Sequence, residues 1–397
     1  MYTHTNVRGC WLTLSFLLIA ANAARAAGLE VTLVSVEGEE TQTTLADSDA
    51  GLKFDAPVAL KDVAEIRFGA KSTAGTGAAL YLRNGDVLQN IKIVSGDDTK
   101  LVFKSESVGE MTLENKFIHA LTFTPKDRPA QDVIDAFLNG PKQKEDLLLT
   151  PKGESLSGYY EKFSDKDLNF NAGGQSRAYA FDATVALRLA PLEDFKATAD
   201  PVATLVLRDG SRITGKVLGV KEKKLKVEAL NTQPWTVPAE ALSSIVFKGG
   251  KMVYLSDIAP AAVEEKPYVG GAPLVFRWRK DRSAAGGKLA MNGKDYERGI
   301  GVHSYSKLTF NLEGQYAKFL CDVGLDTVAT PNSASAWKIL VDGKEVAAGL
   351  AKAGEKPQAV KLEVKGAAKL ELICDYGPDD DDAGDVLDWA GARLIKP

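Results

Sequence analysis

A repeated unit in the first two thirds of the chain constrains the fold more than any other feature. Asn84-Gly85 and Asp209-Gly210 are dipeptides typical of tight hairpin turns, because these residue types accept positive φ angles. Each dipeptide lies in one of four segments in which an alternating strand runs into a glycine turn and out again. The four segments are "VTLVSVEGEETQ", "ALYLRNGDVLQN", "DLLLTPKGESLSG" and "ATLVLRDGSRITG". The pattern predicts four small antiparallel units in an all-β fold.

The four units are short enough to form small barrels, and by pattern they resemble Sm-like small barrels. We expect a first pair of barrel-like repeats over residues 27–126 and a second pair over residues 145–250. Two units sharing one sheet are the alternative to separate barrels. Sm-like barrels often bind RNA, but the expected export and the negative charge of this chain argue against carrying that role over. Scaffold or protein contact is the simpler interpretation of the repeats.

A short amphipathic linker helix is predicted between the two pairs, within residues 127–144. In "RPAQDVIDAFLNGP", four apolar residues fall on one helical face: Val133, Ile134, Phe137 and Leu138. A proline precedes the segment and Asn139-Gly140-Pro141 follows it, and these are usual signals at the two ends of a helix. The helix is therefore expected to cap or link the two pairs.

The first 26 residues have the order of a secretory signal peptide. Arg8 is followed by an apolar run, Cys10–Ala20, and then by small residues that end at Ala26. The apolar run is too short to span a bilayer, so we expect a secreted or periplasmic protein with no membrane insertion after cleavage. Residues 1–26 contain two arginines and no acid, so their removal takes the formal charge from -4 to -6. That charge predicts that nucleic acid is not a partner.

Residues that carry catalytic chemistry are scarce after the signal peptide. His119 and His303 are the only histidines there, and Cys321 and Cys374 are the only cysteines. Zinc sites and serine–histidine catalysis are hard to build from this set, and the sequence has no nucleophile elbow or phosphate-binding glycine loop. We therefore expect no enzyme activity. The two cysteines either form one bridge or remain two buried free thiols.

An acidic loop, "PDDDDAGD" at Pro378–Asp385, is the one candidate for metal binding. Crowded carboxylate oxygens suit calcium, although the spacing is not that of an EF-hand. A solvated acidic loop is the alternative. We expect no cofactor, with calcium as the ion that this loop would take.

The pattern changes from about Met252 onward. The segment "LSDIAPAAVEEKPYVGGAP" is rich in proline, glycine and alanine, which predicts a linker at a domain boundary. Short alternating strands then follow one another with turns between them, and no helical segment separates them. This density of strands predicts an antiparallel sandwich. The strands fall in "KLTFNLEG", "AKFLCDVGLD", "WKILVDGKEV", "AVKLEVKGA", "KLELICDYG" and "WAGARLI".

The last third also resembles a known family. The stretches "KDRSAAGGKLAMNGKDYERGIGVHSYSKLTFNLEGQYAKFLCDVGLD", "WKILVDGKEV", "AAKLELICDYG" and "GDVLDWAGARL" occur in the order typical of NPCBM carbohydrate-binding modules, over residues 252–397. The resemblance implies a galactose-binding-like jelly-roll β-sandwich that binds glycans at the loops joining its two sheets. Where the family typically has Asp-His-Ala-Asp-Trp-Ala, this chain has Val386 in place of the histidine.

Four residues are the candidates for carbohydrate binding: His303, Asp388, Trp389 and Arg282. A neutral imidazole can donate to one sugar hydroxyl and accept from another, and sugars stack on aromatic rings that have polar groups nearby. Strand alternation puts Val302 on the inner side and His303 on the outer side, and it allows an outward Trp389. The alternatives are a histidine bonded to its own turn and a tryptophan in the core.

These observations predict an exported, non-catalytic carbohydrate-binding protein whose partner is a glycan or polysaccharide. The rival hypothesis is a structural protein whose repeats and sandwich contact other envelope proteins without binding sugar.

Overall fold

The computed structural model describes residues 28–70, 72, 73, 75–191, 202–230, 234–271, 276–378 and 380–397. The predicted signal peptide lies outside these residues. The described part is built almost entirely of antiparallel β-strands and contains one α-helix, so the all-β prediction is confirmed. No helix in this part is long and apolar enough to cross a membrane.

The first and fourth units supply nine strands. Those of the first unit are β1 (Leu29–Ser35), β2 (Glu40–Ala46), β3 (Lys53–Phe54) and β4 (Val63–Arg67). Those of the fourth are β16 (Val202–Leu207), β17 (Arg212–Lys221), β18 (Lys224–Ala229), β19 (Trp235–Pro238) and β20 (Leu242–Lys248). In both units the first strand pairs with the second and with the last, which curls the sheet on itself.

The second and third units supply eleven strands. Those of the second are β5 (Ala79–Leu82), β6 (Val87–Leu88), β7 (Lys92–Gly96), β8 (Lys100–Ser105), β9 (Gly109–Glu114) and β10 (Ile118–Thr122). Those of the third are β11 (Asp146–Leu149), β12 (Ser155–Phe163), β13 (Asp167–Ala172), β14 (Gln175–Ala180) and β15 (Ala186–Arg188). Helix α1 (Gln131–Leu138) lies between these two units.

The same local devices recur in all four units. The glycine after the first strand has a φ of +86° at Gly38, +89° at Gly85, +82° at Gly153 and +85° at Gly210, a region that residues with a side chain rarely enter. A short 3-10 helix precedes the last strand of each unit, at Leu60–Asp62, Asn115–Phe117, Phe181–Ala183 and Ala239–Ala241. The turns expected from the sequence are therefore formed.

The strand pairing between units differs from the predicted grouping in consecutive pairs. β4 of the first unit pairs with β20 of the fourth, through Ile66↔Ile245, and β10 of the second pairs with β15 of the third, through Leu121↔Leu187. Helix α1 packs its buried face, including Ile134, against the β10–β15 junction. All twenty strands belong to one continuous sheet, and the four units share one large apolar core.

Two further sheets form a sandwich after the repeats. One sheet has the order β23 (Arg279–Lys280), β26 (Gly299–His303), β33 (Val386–Ile395), β28 (Lys318–Leu325) and β31 (Gln358–Glu363), and β21 (Met252–Tyr254) also pairs with β33. The other has the order β22 (Ala262–Glu265), β27 (Ser306–Asn311), β32 (Lys369–Asp375), β29 (Ala334–Val341) and β30 (Lys344–Lys352). A hairpin of β24 (Leu289–Met291) and β25 (Lys294–Tyr296) is separate from both.

The segment interpreted as a linker is part of this sandwich. β22 pairs with β27 through Val263↔Leu308, and Leu255, in a 3-10 helix, is fully buried in the core of the sandwich. The linker prediction was wrong because composition alone does not show that these apolar side chains have partners far along the chain.

The repeats and the sandwich meet at a packed boundary, which we call the seam. Eight buried apolar residues form one cluster there: Val36, Ala64, Val206 and Val246 from the repeats, and Met252, Tyr254, Leu320 and Ile395 from the sandwich side. Ion pairs surround this cluster, among them Arg212–Glu297 at 2.9 Å and Lys318–Glu37 at 2.9 Å. The sandwich is therefore held against the repeats by apolar contacts and by charge pairs.

Candidate functional site

The glycines before His303 are required by close backbone approaches. A Cβ on Gly299, whose φ is +149°, would lie 2.6 Å from the carbonyl oxygen of Trp389 on the neighbouring strand. A Cβ on Gly301 would overlap the backbone oxygen of Arg282, because residues 282–284 fold across this strand. Glycine is therefore the residue that fits at both positions. The glycine pattern shapes β26 and brings its last residue to the edge of the sheet.

His303 lies at the rim of the sandwich, where the chain crosses from one sheet to the other. It ends β26, and β27 of the opposite sheet begins at Ser306. Ser306 pairs with Glu265 on one side and Cys374 on the other, so the loops that follow β22 and β32 reach the same rim. This rim contains the histidine, an aromatic loop and the acidic loop.

The imidazole of His303 is half-buried and neutral. Its ring stacks on Phe276, with centroids 4.8 Å apart and an interplanar angle of 28°. Nδ1 lies 2.9 Å from the carbonyl oxygen of Ser304, and since a carbonyl only accepts, Nδ1 carries the proton. Burial lowers the pKa of His303, while the bond to Ser304 and the charge of Asp382 oppose that shift. Nε2 is thus an acceptor, and it is buried with no hydrogen-bond partner among the described residues.

Other aromatic rings extend this surface. Tyr268 and Tyr376 meet edge to face with centroids 5.1 Å apart. Tyr268 is 43% exposed and Phe276 is 37% exposed, so both present ring surface to solvent. We call Tyr268, Phe276, His303, Tyr376 and Asp382 the rim cluster. It combines apolar ring faces with an imidazole acceptor and a carboxylate.

The acidic loop supports this rim. Asp382 accepts a hydrogen bond from the backbone N–H of Tyr268 at 3.4 Å, and the buried Asp385 accepts one from the hydroxyl of Ser304 at 2.6 Å. Among the described residues, which omit Asp379, no three metal-ligating side chains come together as a metal site. Calcium binding by this loop remains a prediction.

Trp389 is buried, so the core interpretation is the one that the structure bears out, and its assignment to carbohydrate binding is corrected. It is 0% exposed and packs in the core between the two sheets, with its ring 6.0 Å from that of Trp337 at 84°. The physical reason is a β-bulge in the last strand. Gly391 has a φ of +59°, and the register between β28 and β33 shifts there. A bulge reverses the alternation, so Trp389 and Leu394 both face the core despite their odd spacing.

Asp388 is also enclosed rather than available to a ligand. It is 0% exposed and lies in β33 between Gly301 and Gly324 of the neighbouring strands. Burial raises the pKa of Asp388 well above its usual value, and the nearby carboxyl of Asp326 raises it further. Asp388 is therefore a buried structural residue, and its assignment to sugar binding is corrected.

Arg282 lies towards the seam end of β26. Its side chain is exposed, and its neighbour Asp281 is hydrogen-bonded through the backbone to Gly299, at the opposite end of the strand from His303. Burial raises the pKa of Tyr81 in the second unit, and the charge of Arg282 opposes that shift. Of the four predicted residues, the structure places His303 alone in the rim cluster.

Sequence reasoning missed the three tyrosine and phenylalanine members of the cluster, and it singled out Asp382 only as part of the acidic loop. Tyr268 and Phe276 lie in or just after the segment interpreted as a linker, and Tyr376 and Asp382 follow β32. The sequence did contain one signal for this surface, because aromatic residues are found within or next to a stretch rich in proline and glycine. The cysteine question is also answered, because Cys321 and Cys374 are both free and buried.

The family comparison agrees with the sandwich described above. Residues 251–395 match the family model of the NPCBM/NEW2 domain. The chain contains an NPCBM domain. The resemblance stated from the sequence is thereby confirmed for this part of the chain, and the match supports a carbohydrate-binding module here. No curated protein matches the chain.

Solved structures show distant similarities. The structure of CBM51 from Clostridium perfringens GH95 in complex with methyl-galactose is 25% identical, and the match covers 36% of this chain and 99% of that one, with a TM-score of 0.32. CBM51-2 and INT domains from Clostridium perfringens ZmpB are 24% identical, with 44% and 36% covered and a TM-score of 0.33. The tandem CBM51 modules of Sp3GH98 from Streptococcus pneumoniae are 12% identical, with 92% and 88% covered and a TM-score of 0.32. These scores are too low to support an argument about function.

Proposed function

We propose that this chain is an exported, non-catalytic glycan-binding protein and that its NPCBM domain binds a sugar at the rim cluster. The observation that carries the proposal is the Nε2 atom of His303, which has no partner in the part of the chain that the structure describes and lies beside exposed aromatic rings. Export is supported by the signal-peptide pattern of residues 1–26.

The chemistry of the cluster matches that of a pyranose ring. Sugars present apolar C–H faces that pack on aromatic rings, and Tyr268 and Phe276 offer such faces to solvent. A sugar hydroxyl that displaces the groups covering the Nε2 atom of His303 donates a hydrogen bond to it, which relieves the cost of a buried acceptor that has no partner among the described residues, about 1–3 kcal/mol. The carboxylate of Asp382 supplies a second acceptor nearby. The two kinds of contact fix both the position and the orientation of the ring.

Affinity electrophoresis of the full chain against a panel of polysaccharides tests the proposal. We expect retardation on at least one polymer, and loss of that retardation in Tyr268→Ala and Phe276→Ala. His303→Phe is the sharper variant, because it keeps the stacking on Phe276 and removes the acceptor; we expect a loss of affinity of about tenfold, the effect of one hydrogen bond in a half-buried site.

Tyr159→Ala is the matched control for Tyr268→Ala. Tyr159 is 57% exposed and lies in β12 of the third unit, away from the rim, so its removal should leave retardation unchanged. Unretarded migration on every polymer, together with capture of envelope proteins by the chain, would instead favour the rival structural role. If Tyr159→Ala and Tyr268→Ala lost retardation equally, the rim cluster would not be the binding site.

A further inference from the structure

A cavity lies at the seam, at the opposite end of β26 from the rim. It has a volume of about 380 Å³, and a neighbouring cavity of about 150 Å³ adjoins it. Both are lined by the same six charged residues: Glu40, Glu65, Arg67, Lys294, Asp295 and Glu297. The first three belong to the repeats and the other three to the NPCBM domain, so neither part forms this cleft alone. We call it the seam cleft.

Most of the charged side chains around the seam cleft are paired within the protein. Arg67 donates to Glu65 at 2.9 Å and to Glu40 at 2.6 Å. Glu297 is paired with Arg212 at 2.9 Å, and Lys294 lies 3.4 Å from Asp322. A strongly charged ligand would have to compete with these pairs. The shared lining has four carboxylates and two basic groups, so it disfavours an anion and offers more hydrogen-bond acceptors than donors.

Two buried hydroxyls in this lining lack partners. Ser244 is 3% exposed and Ser72 is 6% exposed, and the Oγ atom of each has no hydrogen-bond partner among the residues that the structure describes. Both serines line the larger cavity. Buried hydroxyls are nearly always hydrogen-bonded, so each of these two atoms would be stabilised by a polar occupant that reaches it. Ser243, beside them, already donates to the carbonyl of Ala70 at 2.7 Å.

We propose that the seam cleft binds a small, uncharged, polyhydroxylated molecule of monosaccharide size. Such a ligand satisfies Ser72 and Ser244, and it uses the remaining lone pairs of Glu65 and Glu297 without disturbing their ion pairs. The cavity volume falls within the range of small-molecule sites. The repeats then have a role in binding, because they supply half of the charged lining and both serines. This second site does not depend on whether the rim binds a glycan.

The test uses the full chain with the rim disabled by Tyr268→Ala, Phe276→Ala and His303→Phe together. Calorimetric titration with D-glucose, D-galactose, N-acetyl-D-glucosamine and myo-inositol, up to about 20 mM, covers millimolar dissociation constants. We expect at least one probe to bind with one site per chain, and amide hydrogen exchange in Leu289–Tyr296 to slow when it does. Adding Ser244→Ala should weaken binding about tenfold, as expected for one lost hydrogen bond, and Asp295→Ala should weaken it as well.

Ser256→Ala is the matched control, because Ser256 is 6% exposed and its hydroxyl also lacks a described partner, but it lies outside the lining. Its removal should leave probe binding unchanged. Absence of binding by all four probes, or binding unaffected by Ser244→Ala, would overturn the proposal. Ordered water alone on the two serines, in crystals soaked with the probes, would overturn it too. A failure of the rim proposal would look different. The wild-type chain would then bind a probe at the seam cleft but would not be retarded by any polysaccharide.

Discussion

The two ends of β26 form surfaces of different kinds. At the His303 end, the rim cluster comes entirely from the NPCBM domain and consists mainly of exposed rings. At the Gly299 end, the seam joins that domain to the repeats through ion pairs and a small apolar cluster. A site at the rim is therefore expected in the sandwich by itself, whereas a site at the seam exists only in the whole chain. The repeats contact the NPCBM domain at the Gly299 end of β26 and do not contribute to the rim cluster at the His303 end.

The largest expected effect separates core rings from rim rings. Trp389→Ala removes a fully buried ring and should lower the free energy of unfolding by about 3–5 kcal/mol. Phe276→Ala, at the exposed rim, should lower it by about 0.5 kcal/mol or less. Urea denaturation followed by circular dichroism measures both. Loss of polysaccharide binding in Trp389→Ala with unchanged stability would show that this ring reaches the ligand after all.

Local features of this contrast could be predicted from the sequence. The hairpin turns at Gly85, Gly210 and Asp342-Gly343 follow from residue type, and all of these residues have positive φ angles in the structure. The strand-like alternation around Leu308 and Phe310 likewise gave β27, whose inward residues are fully buried. Such features depend on a few neighbouring residues, which is why a single sequence contains them.

Features that depend on distant contacts could not be predicted. The pairing of the first unit with the fourth is made by strands far apart in sequence, and no local pattern specifies it. The bulge at Gly391 reverses the side-chain alternation of β33, so parity counted back from Leu394 gave the wrong side for Trp389. The rim cluster was missed for a similar reason, since Tyr268 and Tyr376 come together only through the fold.

The apolar cluster of the seam should be the next most sensitive feature. Leu320→Ala removes a buried side chain that packs between the repeats and the NPCBM domain, and it should lower the free energy of unfolding by about 2 kcal/mol, the low end for such changes. Binding of the seam probe should weaken with it, while retardation on polysaccharide stays unchanged. Equal loss at both sites would mean that the two ends of β26 are coupled.

A pH effect on stability is expected from Asp388, which pairs with Gly301 in the middle of β26. Its pKa is raised in the folded protein, so its contribution to stability is complete below the unfolded pKa of about 3.9 and is lost as pH rises through the folded value. Asp388→Asn keeps the shape and removes the titration. The variant should gain relative to wild type by up to about 1.4 kcal/mol per pH unit above pH 4. Parallel pH profiles of the two proteins would contradict this account.

A smaller pH effect is expected at the rim. The pKa of His303 is lowered, so it lies below the usual histidine value of about 6.5. At about pH 6.5 and above, Nε2 therefore carries no proton in most molecules and can accept a hydrogen bond. Glycan affinity should be constant above that pH and fall as pH drops through the folded pKa, because a protonated Nε2 no longer accepts. His303→Gln, which cannot titrate, should remove the pH dependence. Affinity electrophoresis at several pH values measures both, and a pH profile retained in His303→Gln would assign it to another group.

The smallest expected effect on stability is that of removing an ion pair at the seam, in contrast to removing a side chain of its apolar cluster. Lys318 and Glu37 join the two parts at 2.9 Å, but both side chains are more than a third exposed, and exposed pairs are weakened by solvent and salt. Lys318→Ala should therefore leave the denaturation midpoint within experimental scatter and leave both binding sites intact, whereas Leu320→Ala shifts the midpoint clearly. Lys318→Ala could instead lower the denaturation midpoint as much as Leu320→Ala does, and added salt could lower the midpoint of the wild type in the same way. In that case ion pairs would hold the seam together, and the ion pairs of the cleft would position the repeats.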